Sequence, residues 1–319
     1  MEKQFMKSRR EFLFLYDIKM GNPNGDPDEN RPRVLPDGTF YVTDVRLKRF
    51  ARDFLKSMGR SILVDNIEGK TTNLTGRVLH YLKTNNIDKV TGQEVVDVIL
   101  DAFIDARLFG SSLAFKKEDG WEPKPEPKTL TGPVQMNMGE VLHEAENVDI
   151  YGTSVLASEA DNTQGTFTNF YGLRYALIGF SGVANQHSAK LSRLTEEDYG
   201  LFLQALWHGV RVAGNTRSKV GQIPRLLLNV VYKEEEEYQV GRLHDYVKLI
   251  PCTDKSEKEW AGPDDYQVDL SRIFGLMQNQ AKRIEKVQVA YSPDLSFVQP
   301  IPNSWQEILI EDLPAKGGI

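Results

Sequence analysis

Arg46, Lys48, Arg49 and Arg52 crowd one short stretch that opens with Thr43 and Asp44, and Leu47, Phe50, Ala51, Phe54, Leu55 and Met58 recur among them at helical spacing. Thr43 or Asp44 supplies an N-cap, so the cations fall in the first turns of a helix. The macrodipole and the unpaired amides already make that end positive, and only Asp44 and Asp53 stand nearby to offset it. Such an arrangement makes chemical sense if an anion docks there, its phosphates held by backbone amides and guanidinium forks together. A solvated face with ion pairs to nearby acids fits the spacing equally well.

A second group, Asn215, Thr216, Arg217, Ser218, Lys219 and Gln222, precedes an apolar run at 226 to 231 and reads as another phosphate-gripping loop, with a solvated turn as the alternative. Asn22 and Asn24 stand in a Gly/Pro turn, where their amides could meet a ribose or phosphate; Asn also tolerates left-handed backbone and serves turns for that reason. Asp26, Asp28 and Asp37 could hold Mg²⁺ through oxygen, although turn-forming roles suit them better. His80, His143, His187, His208 and His244 are scattered without an HxxxH or cysteine pairing, which argues against zinc and leaves no paired catalytic base. Gly69-Lys70-Thr71 fails as a P-loop, because Val64 occupies the position of its first glycine.

The elements that must position these groups begin with Phe12, Leu13, Phe14, Leu15, Tyr16 and Ile18, a run that suits a central strand covered on both faces. The next connection, rich in Gly and Pro up to Gly38, is all turn. Residues 59 to 108 carry broken amphipathic patterns and read as a small helical insertion, and 116 to 128 as a mobile charged loop. Val134 to Leu142 follows as a second strand, 147 to 170 as a projecting hairpin and Tyr175 to Val183 as a third strand. Thr195 to Asp198 forms a capping-box start to a helix, and Leu226 to Val231 is the fourth strand. One more amphipathic helix is expected between Val268 and Ile284, followed by a tail poor in regular pattern. The order is strand, helix, strand, strand, helix, strand, an α+β plan of ferredoxin-like βαββαβ type that puts its helices on one sheet face. The other face, or its rim, is then left for a ligand such as single-stranded RNA.

A length of 319 residues with 40% apolar residues supports one elaborated domain. The one cysteine fits a reducing compartment, and the absence of a long apolar run argues against a membrane span, so a cytoplasmic protein is expected. A net charge of −6 opposes coating nucleic acid over the whole surface. Cations must therefore be gathered in one groove, with acids such as Glu234 to Glu237 on other faces.

The block FLFLYDIKMGNPNGDPDENRPR followed by VTDVRLKR resembles the opening of the seventh Cas family, the backbone subunit of type I RNA-guided Cascade complexes, with the I-B branch most similar and I-C next. DARLFGSSLAF, LTGPVQMNMGEVLHEAE, QGTFTNFYGLRYALIGFSGVAN and RSKVGQIPRLLLNVVY carry the likeness onward; it weakens in 57 to 104 and beyond 233.

The resemblance implies an RRM-like palm (1–58, 129–146 and 171–232), a helical finger (59–128), a thumb hairpin (147–170) and a C-terminal extension packed on the palm (233–319). It implies no catalysis and no cofactor. The expected partners are CRISPR RNA, the target DNA strand paired with it, neighbouring copies stacked head to tail and other Cascade subunits. Asn22, Asn24, Arg46, Lys48, Arg49, Arg52, Arg217, Ser218, Lys219 and Gln222 would grip the RNA backbone; Arg107, in a matching segment, would contact RNA or pair with Asp105. Phosphate contacts suit a protein that must ignore base identity. The chain departs from RRM practice in lacking an RNP1 aromatic signature on the third strand, so base contacts would come from apolar thumb residues. The rivals are a metal- or His-dependent CRISPR RNA endonuclease of ferredoxin-like fold and a metabolic α/β enzyme using the Gly/Asn/Asp loop.

Overall fold

The computed structural model describes residues 5–87, 94–116, 126–153, 167–214, 216–308 and 310. The loop expected at 116 to 128 and the tip of the hairpin expected at 147 to 170 lie largely outside them. Its elements, in chain order, are β1 (Arg10–Gly21), β2 (Tyr41–Val42), α1 (Asp44–Ser57), α2 (Leu74–Thr84), α3 (Val95–Ala102), α4 (Ile104–Phe109), β3 (Gly110–Leu113), β4 (Lys128–Thr131), β5 (Val134–Met136), β6 (Gly139–Val141), β7 (Asn147–Thr153), β8 (Phe167–Ala184), α5 (Gln186–Ser192), α6 (Glu196–Val212), β9 (Ile223–Tyr232), β10 (Lys248–Pro251), β11 (Tyr266–Asp269), α7 (Ser271–Asn279), β12 (Ile284–Tyr291) and β13 (Gln306–Glu307).

β1 is buried from Arg10 to Ile18 and lies at the centre of a mixed sheet ordered β13-β12-β9-β1-β8-β6-β2, with β5 and β7 also pairing with β8. It runs antiparallel to β8 and β9, placing Leu13 opposite Ser181 on one side and Leu228 on the other, whereas β13 runs parallel to β12. Alternation divides its side chains. Phe12, Phe14, Tyr16 and Ile18 share a core with Phe50 and Phe54 of α1 and Phe202 and Leu206 of α6. Leu13 and Leu15 join Tyr175, Leu177, Leu226 and Leu228 beneath Trp260, Tyr266, Val268 and Ile273.

That second cover is the main departure from expectation. Residues 243 to 297 close the sheet face that the βαββαβ plan left open, so the face is unavailable to RNA and the rim remains. The tail is also more regular than predicted, adding β10 and β11 as a hairpin and β12 as a strand beside β9. Arg225 of β9 fastens it: the guanidinium donates to buried Asp17 of β1 at 2.7 Å and to Asp294 at 3.2 Å. The predicted second strand is broken into β5 and β6, both against β8.

The insertion has its own small core of Leu63, Val78, Leu82, Val95, Ile99, Phe103 and Leu113. Where it returns, Gly110 sits at φ +73°, and a Cβ there would lie 2.1 Å from the Leu130 carbonyl oxygen, so this crossing requires glycine. The hairpin begins as expected, with Asn147 opposite Leu173 and Thr153 opposite Phe167. Among the described residues no helix is long and apolar enough to cross a membrane.

Candidate nucleic-acid interface

Thr43 is the N-cap of α1, its hydroxyl oxygen accepting the Arg46 amide at 3.3 Å. The Asn24 side-chain oxygen in turn accepts the Thr43 amide at 2.8 Å and its hydroxyl at 2.9 Å. Asn24 therefore locks the turn-rich loop to the start of the helix, as a turn residue would.

The cations of α1 do not form one free face. Lys48 pairs with Asp44 at 3.0 Å, Arg49 with Asp53 at 2.8 Å and Arg52 with Asp105 at 2.9 Å. These pairs differ in kind. Asp105 is buried and also accepts the Leu63 and Val64 amides, at 2.6 and 3.1 Å, so Arg52 is a brace to the insertion. The Arg49 pair is half-exposed and contributes little to folding. Arg107 corrects the sequence reading: its fork grips Asp198 at 2.8 Å on both oxygens, and Asp105 belongs to Arg52. Asp198 completes the capping box of α6 with Thr195, and its carboxyl is held below the usual carboxylate range by Arg107 and Thr195 despite the opposing effect of burial, which is the largest.

Arg46 is the exception. Among the described residues it makes no ion pair; its guanidinium lies 4.8 Å from the Phe50 ring centroid, and its Nε is buried without a hydrogen-bond partner. Beside it, the 214–222 loop brings in Lys219, which is buried and donates from Nζ to the Asn22 carbonyl. Burial, reinforced by the Arg46 charge, pulls the Lys219 ammonium down to about 7. The loop is stitched to the end of β1 by the Asn22 amide, which donates to the Ser218 carbonyl at 2.8 Å.

Two more unpaired polar atoms belong to residues tied to these cations, the Tyr16 hydroxyl and the Asn22 side-chain oxygen, and the side-chain oxygen of Gln222, three residues along the loop from Lys219, is likewise buried without a partner. The amide orientations follow from their other ends. Asn22 Nδ2 donates to the Asn30 carbonyl at 2.6 Å and Gln222 Nε2 to the Val210 carbonyl at 3.2 Å, so a flip would set oxygen against oxygen. Burial pushes the Tyr16 phenol up, against the pull of Arg46. Buried polar atoms are rarely left unsatisfied without a functional or solvent explanation. A locus with two neighbouring cations, unpaired donors and unpaired acceptors can take up a group carrying negative oxygens and hydroxyls.

The root of the hairpin adjoins this locus. Exposed Arg217 lies 5.1 Å over the Phe170 ring, and Arg31 lies 3.9 Å over Tyr171 while donating to Asp149 at 2.9 Å. Of the predicted residues, the structure thus joins Asn22, Arg46 and Lys219, with Ser218, Arg217 and Gln222 on the adjoining loop; it sets Arg52 and Arg107 apart as braces to the insertion. Asn215 lies outside the described residues. Tyr16 and Arg31 were not foreseen. Tyr16 was readable as a polar tip in a run otherwise apolar but for Asp17, whereas Arg31 owes its place to a loop path that no periodicity encodes.

The acids of the same loop serve its turns. Asp26 Oδ1 accepts the amides of Asp28, Glu29 and Asn30 between 2.8 and 3.2 Å, and Asp37 accepts that of Thr39 at 2.9 Å. Among the described residues no three His, Cys, Asp or Glu side chains converge as a metal site. His244 is buried against Ser181 Oγ at 2.7 Å, and His143 stacks 5.6 Å from Tyr175.

The family described as CRISPR-associated protein Cas7 matches residues 8–271 of this chain. A CRISPR-associated protein Cas7 from Haloferax volcanii is 33% identical over 299 residues, covering 88% of this chain and 86% of that one. Among solved structures, a chain of a CRISPR RNA-guided surveillance complex in a pre-nicking state superposes with a TM-score of 0.54 at 13% identity, covering 94% of this chain and 95% of that chain, a likeness of fold.

Proposed function

This chain belongs to the Cas7 family of CRISPR-associated proteins, and from that premise we propose that it is a non-catalytic, CRISPR RNA-binding backbone subunit of a type I Cascade complex, of the I-B branch, working in the cytoplasm in antiviral defence. Copies stack head to tail along the guide, which pairs with the target DNA strand, and other Cascade subunits cap the array. The antiparallel set β9, β1, β8 and β6 with α1 and α6 is read as the RRM-like palm, the insertion around α2 to α4 as the finger and the β7–β8 hairpin as the thumb.

One observation carries the RNA-binding reading: Arg46 and Lys219 are neighbouring cations with no carboxylate in ion-pair contact among the described residues, and the Arg46 Nε, the Tyr16 hydroxyl coupled to Arg46 and the side-chain oxygen of Asn22, whose carbonyl meets Lys219, are buried without hydrogen-bond partners. Backbone phosphate and ribose supply the missing acceptors and donors, and they do so at every nucleotide, as guide binding without sequence preference demands. Arg217, Arg31, Phe170 and Tyr171 extend the contact toward the thumb, where rings and guanidinium planes can meet splayed bases. Arg49, half-exposed beside Arg46, forms its solvent-side rim, whereas Lys48 pairs with Asp44 over the Phe109 ring on the side of Arg52. Asn24, Arg52 and Arg107 support the site without touching RNA.

The test is purification without added nucleic acid, followed by incubation of the bound material with Mg²⁺. The proposal expects co-purifying RNA that stays intact. Cleavage products would instead favour the endonuclease reading, and protein free of RNA that also fails to bind added guide would remove both.

A further inference from the structure

Burying an ammonium group beside a guanidinium is unfavourable unless an anion or a proton-poor state relieves it. Lys219 has neither a carboxylate partner among the described residues nor open water around it; its hydrogen bond goes to the neutral carbonyl of Asn22. The groups facing it can be named from each element. From α1 comes Arg46, itself influenced by Asp53, Arg49 and Tyr16. From the residue after β1 comes the Asn22 carbonyl, while the Tyr16 phenol of β1 is coupled to Arg46; in its own loop, Arg217 is turned to Phe170. The flanking Thr216, Arg217 and Val220 are exposed, so the locus adjoins the surface.

We propose that Arg46 and Lys219 form one receptor for a single backbone phosphate, and that Lys219 takes up a proton as the phosphate docks, making RNA binding proton-linked. The proposal rests on the reading that this surface carries RNA. In the unliganded protein Lys219 is neutral over much of the neutral to mildly alkaline range, because burial and Arg46 hold it near 7. A phosphate oxygen within reach reverses both effects, and solvent supplies the proton to Nζ; no covalent bond changes. Arg46 stays charged throughout and gives the anion its fixed anchor.

Calorimetric titration with a single-stranded RNA of mixed sequence, in buffers of different ionisation enthalpy, reads the proton directly. At about pH 8 uptake of about one proton per bound subunit is expected, at about pH 6 almost none, and affinity should fall up to about tenfold per pH unit between about 7 and 9. Lys219→Arg, permanently charged, should bind RNA without the uptake. Arg46→Gln should bind more weakly and show reduced uptake with Lys219 intact, since removing the like charge raises the lysine's resting value. Binding without proton uptake at about pH 8, or uptake of full size in both variants, overturns the proposal while leaving RNA binding itself standing. Absence of RNA binding at every pH would defeat the underlying reading instead.

Discussion

Arg52 and Arg49 stand three residues apart on α1 and have opposite fates. Arg52 is held by a carboxylate that is also the acceptor for two backbone amides, so Asp105→Ala would strand a buried guanidinium and two N–H groups together. A loss of about 3–5 kcal/mol is expected, read as a lowered urea midpoint. Arg49→Ala removes an exposed pair and should change stability by less than about 1 kcal/mol in the same titration. Lys219 makes the complementary prediction about pH. Its folded value near 7 lies below its ordinary 10.5, so the unfolded chain binds the extra proton between the two and stability rises with pH across that window. Lys219→Met should therefore stabilise the RNA-free protein most below about pH 7 and progressively less toward about pH 10. Thermal melts at both ends would show it, and a shift independent of pH would contradict the placement of this lysine. The sequence showed where cations cluster, but not which have partners: Asp105 and Asp198 are distant in the chain from Arg52 and Arg107 in all but one of the possible pairings, and local spacing pointed to the wrong one.

At the scale of elements, legibility followed the strength of local pattern. β1 was plain because six apolar residues in a run of seven leave no exposed face, and α6 because Thr195 and Asp198 form a capping box that the structure reproduces. Thr195→Ala should cost about 1 kcal/mol through the lost cap. Asp198→Ala should cost more, because it also releases Arg107; a comparison of denaturation midpoints separates the two. β12 was missed although Val287, Val289 and Tyr291 alternate at strand period, because the preceding helical pattern from Val268 to Ile284 ran into it without a strong break. The breaking of the second predicted strand into β5 and β6 is set by pairing to β8, which only tertiary structure decides. The stitching of the hairpin root by Arg31 and Arg217 was equally invisible, since it depends on where two loops end up.

For the whole molecule, the doubly covered sheet is what distinguishes this chain from an RRM that binds RNA on its open face. Leu13, Leu15, Tyr175, Leu177, Leu226 and Leu228 are fully buried or nearly so only because residues from the C-terminal quarter lie over them. A chain ending after β9 would expose this apolar surface, and we expect it to be recovered insoluble; a soluble, monodisperse product would show that the cover is dispensable. The same cover accounts for the missing RNP1 aromatics: a face packed against Trp260 and Tyr266 has no bases to stack. It also leaves the end of β1 as the place for the proposed interface, where an acidic protein can still present a local concentration of positive charge.

The proposed division of labour is that two cations without carboxylate partners, and not the ion-paired ones, hold the RNA backbone. It is tested most directly by the salt dependence of RNA binding in Arg46→Gln with Lys219→Gln, beside Arg49→Gln. The double variant should lose about 10- to 100-fold in affinity, with a log–log salt slope shallower by roughly 0.7 for the one phosphate released, and Arg49→Gln should leave both nearly unchanged. Unaltered affinity and slope in the double variant, with the loss appearing in Arg49→Gln instead, would contradict the account.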